Sequence, residues 1–468
     1  MGLLEDMNSQ NGNKEKPTLP SEIFTSLNQH TGYDYLRTVQ SSFLDKWYTK
    51  RNQHDIIGVL GTGTGKTLIG LLTLQSQLNN NNGPCAYICQ TKQLVAQVVK
   101  EAKNFGIKVT TFSESEPATI PSDFSNSEAI LIMTFDKLFN GYSIFGVDTA
   151  SYIRINSLVI DDAHVAINKI RTATTLTINR DSKEYTELLD IFEKDLNDQR
   201  PSKLDAIKNN PKANAVLKVP YWTVDNKIET VFNILASYTL NVENNSIHYP
   251  FILESQDLLE IYVSHHQIDI RPQHVPVDMI PSFSKAKHRL FLSATVSNIG
   301  EFVSELSVDL DAVNNPISVD TLSDTGQKWI LACTKVHPYF TDKVIQDIIT
   351  FLSNTNNVLI LVPSNYAAKK WIARGARLYD ASKVNQLALD FKQSNNFGMA
   401  VLANKYDGID LPEDLCHITV IDGVPNPMSG GDRANAQRNP DALSTDVPVI
   451  RELEQGMGRA VRSKADYS

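Results

Sequence analysis

The sequence has little of what marks a secreted, membrane-bound or disulfide-stapled protein. Its four cysteines are spread over 468 residues, too few and too scattered for a disulfide frame. Cys333 and Cys416 have no close partner in sequence, whereas Cys85 and Cys89 lie four apart in an apolar segment that reads as a strand. Positions an even number apart share one strand face, so this pair is expected to be buried packing. A metal site would need a second ligand pair and a turn. No stretch approaches the roughly 20 apolar residues of a membrane span. The acidic start Met1-Gly2-Leu3-Leu4-Glu5-Asp6 excludes a signal peptide. A cytoplasmic protein with no membrane partner is the expectation.

Positive charge is also in deficit: 44 Lys and Arg face 53 Asp and Glu, a net charge of −9. No basic run marks a groove for phosphates. That does not exclude nucleic acid, because binding depends on where the cations cluster and not on the total. No internal repeat is visible beyond two similar halves.

What is present is a series of short apolar runs separated by amphipathic or polar stretches. Ile56 to Leu60, Ala86 to Ile88, Ile130 to Ile132, Leu158 to Ile160 and Arg289 to Leu292 each suit a strand covered on both faces. The connections are long enough for crossover helices, which predicts a parallel α/β sheet. Val358 to Val362, Met399 to Ala403 and Ile418 to Ile421 predict a second one. Residues 1–20 lack an apolar period and read as a disordered tail. Residues 165–287 differ in texture. Tyr185, Leu188, Leu189, Phe192 and Leu196 share a helical face, as do Ile228, Val231, Phe232, Leu235 and Tyr238. A mainly helical insertion into the first domain follows.

Directly after the first strand stands Gly61-Thr62-Gly63-Thr64-Gly65-Lys66-Thr67, and a helical segment follows it. Strand, glycine-rich turn and helix place a ring of backbone N–H groups at a positive helix end, which suits phosphate oxygens. Lys66 should reach the β- and γ-phosphates and Thr67 should bind Mg²⁺. The strict motif has a glycine where Leu60 stands. A loop that merely turns the chain is the plain alternative, but Gly-Lys-Thr between a strand and a helix argues for ATP or GTP. Leu158-Val159-Ile160-Asp161-Asp162-Ala163-His164 is an apolar strand that ends in two acids. Strand ends of a parallel sheet lie beside the phosphate loop. Asp161 would hold Mg²⁺ and Asp162 would orient the attacking water. Alone, such a pair would read as a helix cap.

Asp161-Asp162-Ala163-His164 resembles the DEAH box of superfamily 2 helicases, with Asp in place of Glu. The resemblance implies an ATP-hydrolysing motor of two RecA-like domains using ATP and Mg²⁺. Asp162 is one methylene short, so hydrolysis is expected to be slow and Asp162→Glu to raise or preserve the rate. Gln40, 26 residues before Lys66, resembles the glutamine many of these motors use to recognise adenine; an ordinary solvated helix glutamine is the alternative. Cys89 to Gln97 and Met133 to Leu138 resemble track-contacting segments, in which Thr91, Gln97 and Thr134 would touch the sugar-phosphate backbone. Leu292-Ser293-Ala294-Thr295 resembles the Ser-Ala-Thr motif, which implies track contacts for Ser293 and Thr295.

Asn404 to Pro412, with Asp410, resembles motif V, and Gln455-Gly456-Met457-Gly458-Arg459-Ala460-Val461-Arg462 fits motif VI. Gln455 and Asp410 would then serve the nucleotide. Arg459 and Arg462, three apart on one helix face, would act as arginine fingers. The insertion and the wording of both late motifs look most like the XPD/DinG-like branch and like helicases of bacterial antiviral defence systems such as Hachiman. Iron-sulfur members carry a four-cysteine cluster that this chain cannot supply.

The expected organisation is a first RecA-like domain at 21–164 and 288–315, the insertion at 165–287, and a second domain at 316–468 that stops short of a further strand. The expected activity is an ATP-dependent helicase or translocase, on DNA in preference to RNA, with a protein of a defence system as a further partner. A double-strand translocase without unwinding and a nucleotide-dependent sensor or scaffold are the competing readings.

Overall fold

A computed structural model describes residues 16–27, 35–61, 63–147, 151–241, 247–293, 299–319, 329–380, 383–393, 397–403, 415–423, 429–438, 449–450, 453 and 456–457. In chain order the described strands are β1 (Asp55–Val59), β2 (Cys85–Cys89), β3 (Val109–Thr110), β4 (Ile130–Thr134), β5 (Ser157–Ile160), β6 (Leu176–Asn179), β7 (Val216–Lys218) and β8 (Leu259–Ser264). They continue with β9 (Gln267–Pro272), β10 (His288–Ser293), β11 (Ile317–Ser318), β12 (Val358–Val362), β13 (Arg377–Tyr379), β14 (Met399–Ala403) and β15 (Ile418–Ile421). The chain forms two compact units, residues 1–59, 65–173 and 275–319 in one, and 60–64, 174–274 and 320–468 in the other.

The first unit is built on a seven-stranded sheet of order β11-β1-β10-β5-β2-β4-β3, with every pairing parallel. Its five inner strands, β1, β10, β5, β2 and β4, are short and buried along nearly their whole length, as expected of a sheet with helices on both faces. Cys85 and Cys89 lie in β2 and are fully buried, the packing role their spacing predicts. Burial pushes the Cys85 thiol up to about 12.

The helix Lys66–Asn79 (α1) buries Leu68, Ile69, Leu71, Leu72 and Leu74. The tail expected to be disordered to residue 20 is ordered before that: Asn79 Nδ2 donates to the Pro17 carbonyl at 2.7 Å, and Pro20 opens the helix Pro20–Ser26. Proline at a first helical position is preset for the turn.

The insertion is helical where its periodicity says so. Tyr185, Leu188, Leu189, Phe192 and Leu196 are all buried in the helix Lys183–Gln199 (α2). In the helix Ile228–Asn241 (α3), Val231, Leu235 and Tyr238 are buried, with Ile228 and Phe232 packed beside them. Added to these helices is a four-stranded antiparallel sheet, order β6-β9-β8-β7, which the helical reading did not contain. Its alternation was legible: Ile261, Val263, Ile268 and Ile270 enter the same core as the helices.

In the same unit stands a parallel sheet of order β13-β14-β12-β15, with Val358 to Val362 fully buried. The helix Gly430–Arg438 (α4) packs on the antiparallel sheet, where Ala434 meets Val216 and Tyr262. Gly430 N donates to Asp269 Oδ2 at 3.2 Å. A Cβ on Gly431 would stand 2.3 Å from Nη2 of Arg271. Arg271 is itself pinned by Glu260 Oε2 at 3.1–3.2 Å.

Candidate nucleotide site

The carboxyl ends of β1, β5 and β2 place the loop before α1, the acid pair and Gln90 at one edge of the first sheet. Gly65 caps α1 with φ 79°. That is left-handed backbone which only glycine adopts at no steric cost. The position is also close-packed, since a Cβ at Gly65 would lie 2.2 Å from Nε2 of Gln40 and the Gln40 amide would have to shift. Thr64 Oγ1 donates to the Gly61 carbonyl at 2.8 Å, which tightens the turn. Lys66 and Thr67 open α1. The backbone N–H groups of its first turn have no carbonyl one turn back to pair with, so they are available to anions.

Lys66 Nζ donates to Asp162 Oδ1 at 2.5 Å, across 96 residues, with side-chain exposures of 13% and 28%. Gln90 Nε2 donates to Asp162 Oδ2 at 3.4 Å. Asp162 has φ 47°, a region where Asp and Asn are several-fold enriched over other side chains. Asp161 N donates to the Ile88 carbonyl at 3.2 Å, which fixes the acid pair beside β2.

Asp161 is the most perturbed acid here. Burial pushes its carboxyl up, and the neighbouring Asp162 charge pushes it further, to about 7, against the opposing pull of Lys66. Its Oδ1 is sealed from solvent and has no hydrogen-bond partner among the described residues. The Tyr87 phenol faces it and favours its charged form, yet the Tyr87 hydroxyl also completes no bond of ordinary geometry. A buried carboxylate oxygen without a donor is a costly arrangement for an acid alone. It fits a divalent cation, and the hard oxygen donors Asp161 and Thr67 are of the kind that Mg²⁺ prefers.

Gln40 lies buried in the first turn of the helix Thr38–Lys50, where its Oε1 accepts from Arg37 N at 3.0 Å. It is therefore no solvated surface glutamine, and its amide stands against Gly65. Thr91 follows β2 and caps the helix Lys92–Phe105 by accepting from Leu94 N at 3.2 Å. Thr134 ends β4 in register with Cys89, so Thr91 and Thr134 sit at neighbouring strand ends. Gln97 donates to Glu101 at 2.9 Å. Ser293 ends β10 and is fully buried. Thr62, Thr295, Asp410, Gln455, Arg459 and Arg462 lie outside the described residues. Sequence reading gave no role to Gln90, although it stands at the end of a strand beside the acid pair. No helix among the described residues is long and apolar enough to cross a membrane.

Comparison with known proteins bears on the family and the fold. Residues 37–188 match the DEAD/DEAH box helicase family and residues 348–468 match the helicase C-terminal domain. The pre-mRNA-processing ATP-dependent RNA helicase PRP5 of Meyerozyma guilliermondii is 31% identical over 157 residues, 31% of this chain and 18% of that protein. The pre-mRNA-splicing ATP-dependent RNA helicase PRP28 of Debaryomyces hansenii is 33% identical over 130 residues, 22% of each. The chain thus spans about a fifth of the length of these curated relatives. In fold it is similar to a solved XPD helicase, with a TM-score of 0.57 at 15% identity over 92% of this chain and 94% of that one. S. tokodaii Xpd4 gives a TM-score of 0.56 at 15% identity over the same shares.

Proposed function

Because this chain belongs to the DEAD/DEAH-box helicases of superfamily 2, a family of ATP-hydrolysing enzymes, we propose that it couples ATP hydrolysis to movement along a nucleic-acid strand, DNA in preference to RNA. One observation carries the proposal. Lys66 and Asp162 meet at 2.5 Å at the edge of a parallel sheet, beside an Asp161 oxygen that is buried and unpaired among the described residues. An ion pair built only for stability would leave no such neighbour.

In this reading Lys66 exchanges Asp162 for the β- and γ-phosphates when ATP arrives. The open N–H groups of α1 hold the phosphate oxygens, and Gln40 recognises adenine from beside Gly65. Asp161 and Thr67 would hold Mg²⁺, which supplies charge neutralisation on the phosphates. Asp162, released from Lys66, orients the attacking water. Arg459 and Arg462 stabilise the charge that builds on the γ-phosphoryl group, and Gln455 and Asp410 serve the nucleotide. Thr91, Gln97, Thr134 and Thr295 are the proposed strand contacts, whereas Ser293, expected to be one, is fully buried at the end of β10 and would act only through its neighbours. Contacts to sugar and phosphate grip without reading sequence, so affinity should fall steeply with salt.

The similarity to PRP5 and PRP28, both named RNA helicases, points to RNA, so the test compares the two tracks. ATP turnover is measured with single- and double-stranded DNA and RNA. Single-stranded DNA should stimulate most, and Lys66→Ala should abolish the stimulated rate. Turnover that no nucleic acid raises would replace the motor by a nucleotide-held scaffold. A partner protein from a defence system belongs to the same proposal. It is supported by the wording of residues 404–412 and 454–459, and co-purification from a host that carries such a system tests it.

A further inference from the structure

Asp162 is held at both oxygens, Oδ1 by Lys66 at 2.5 Å and Oδ2 by Gln90 at 3.4 Å. In the proposed reaction the first of these partners leaves for the phosphates. The second stays, because Gln90 is 96% buried (4% exposed) and anchored where β2 ends, next to the strand that delivers the acid pair. Its Oε1 is also buried and has no partner among the described residues. A buried amide oxygen without a donor is a rare expense in a folded protein and calls for a ligand.

We propose that Gln90 is a positioning residue for ATP hydrolysis, its amide N–H orienting the Asp162 carboxylate and its unpaired Oε1 accepting a hydrogen bond from the attacking water. The inference rests on the ATPase reading given above. The water oxygen bonds to the γ-phosphorus as the bond from that phosphorus to the β–γ bridging oxygen breaks, leaving ADP. One water proton stays on the new phosphate and the other leaves to solvent through Asp162. Asp162 alone, one methylene shorter than Glu and fixed in left-handed backbone, has limited means of aiming that water. A neighbour with one donor and one acceptor supplies the aim. The 3.4 Å separation is long for a finished hydrogen bond, and catalytic bonds of this kind commonly tighten only when substrate is bound.

The test is steady-state turnover of the full chain with Mg-ATP and a single-stranded DNA oligonucleotide, for wild type, Gln90→Met, Gln90→Glu and Lys66→Ala. Gln90→Met keeps the bulk of the side chain and removes both hydrogen-bonding atoms. It should lower kcat by about tenfold or more, with the KM for ATP, the DNA half-saturation and the melting temperature little changed. Gln90→Glu keeps an acceptor, loses the donor and sets a negative charge against Asp162; it should lower kcat as well.

A Gln90→Met enzyme that turns over within twofold of wild type overturns the inference, as does one whose KM and melting temperature change while kcat does not. Should Gln90→Met fail to fold, Gln90→Glu decides alone, and wild-type kcat in that variant overturns it equally. Turnover that survives Lys66→Ala removes the ATPase reading, and Gln90 then loses the reaction it would serve. Turnover that depends on Lys66 but not on Gln90 removes only the present inference.

Discussion

Arg289 and Asp55 meet as a two-pronged ion pair inside the first unit, Nε donating to Oδ1 and Nη2 to Oδ2, both at 2.7 Å. Their side chains are 2% and 0% exposed. Asp55 also accepts from Asp309 N at 2.8 Å, and the guanidinium lies 4.9 Å from the Phe283 ring centre. A charge this deep is tolerable only while its partner remains. Arg289→Met should therefore lower unfolding free energy by about 3–5 kcal/mol, read as a lower urea midpoint. The double variant Asp55→Leu/Arg289→Met should recover a large part of that loss. A double variant as weak as the sum of the singles would show that the pair does not act as one unit.

His54 sits at the rim of this pair, its Nδ1 3.3 Å from Asp55 and 3.4 Å from Asp309. The bond to Asp55 raises its pKa, assisted by the charges of Asp55 and Asp309 and opposed by burial and by Arg289. A raised pKa means that the fold favours the protonated ring. The contribution is fully present below the ordinary 6.5 and is lost as pH rises through the higher folded value. The imidazole is 39% exposed, so screening keeps the effect below about 1 kcal/mol. Thermal melts between pH 6 and pH 8 should show a small loss toward alkali that His54→Asn removes.

Asp162 carries a second consequence of its φ of 47°. Asn tolerates that backbone as Asp does, whereas Glu is disfavoured there by about 1 kcal/mol. Asp162→Asn should keep the melting temperature and drop stimulated ATP turnover by about a hundredfold or more. Asp162→Glu should melt lower by a few degrees. The expectation that it raises or preserves the rate therefore meets a backbone opposed to it, and kcat for the pair of variants separates reach from strain.

Gly431 stands where any side chain would strike the Arg271 guanidinium. That group cannot swing aside without breaking its bonds to Glu260. Gly431→Ala should destabilise the seating of α4 by about 1–3 kcal/mol, seen as faster hydrogen exchange in 259–272 and 430–438. Arg271→Ala in the same chain should relieve the clash and restore part of the protection.

The sheets were legible because their strands are compact apolar runs. Val358 to Val362, Met399 to Ala403 and Ile418 to Ile421 are strands at those very bounds. The helices α2 and α3 were legible because burial repeats along one face of each. The antiparallel sheet is only half legible: β8 and β9 alternate, but β6 and β7 have four and three residues, too short to outweigh the helical pattern around them. Asp55 with Arg289, 234 positions apart, has no local signature, since only the strand order brings β1 and β10 together. The Lys66, Asp161 and Asp162 grouping could be read because each ends or follows a strand in a known way. Gln90 could not, because a glutamine after a strand looks like any surface turn until its burial is known.

Strand β10 fills the slot between β1 and β5, and that order imposes a schedule on synthesis. A nascent chain that has delivered β5 must wait on the order of ten seconds of translation before β10 emerges. Through that interval the β5-β2-β4-β3 half-sheet and the lone β1 hold open apolar edges while the insertion itself is being made. The piece interrupting the first sheet is thus finished before the sheet it interrupts, and a chain stalled near residue 287 is the species a chaperone would meet.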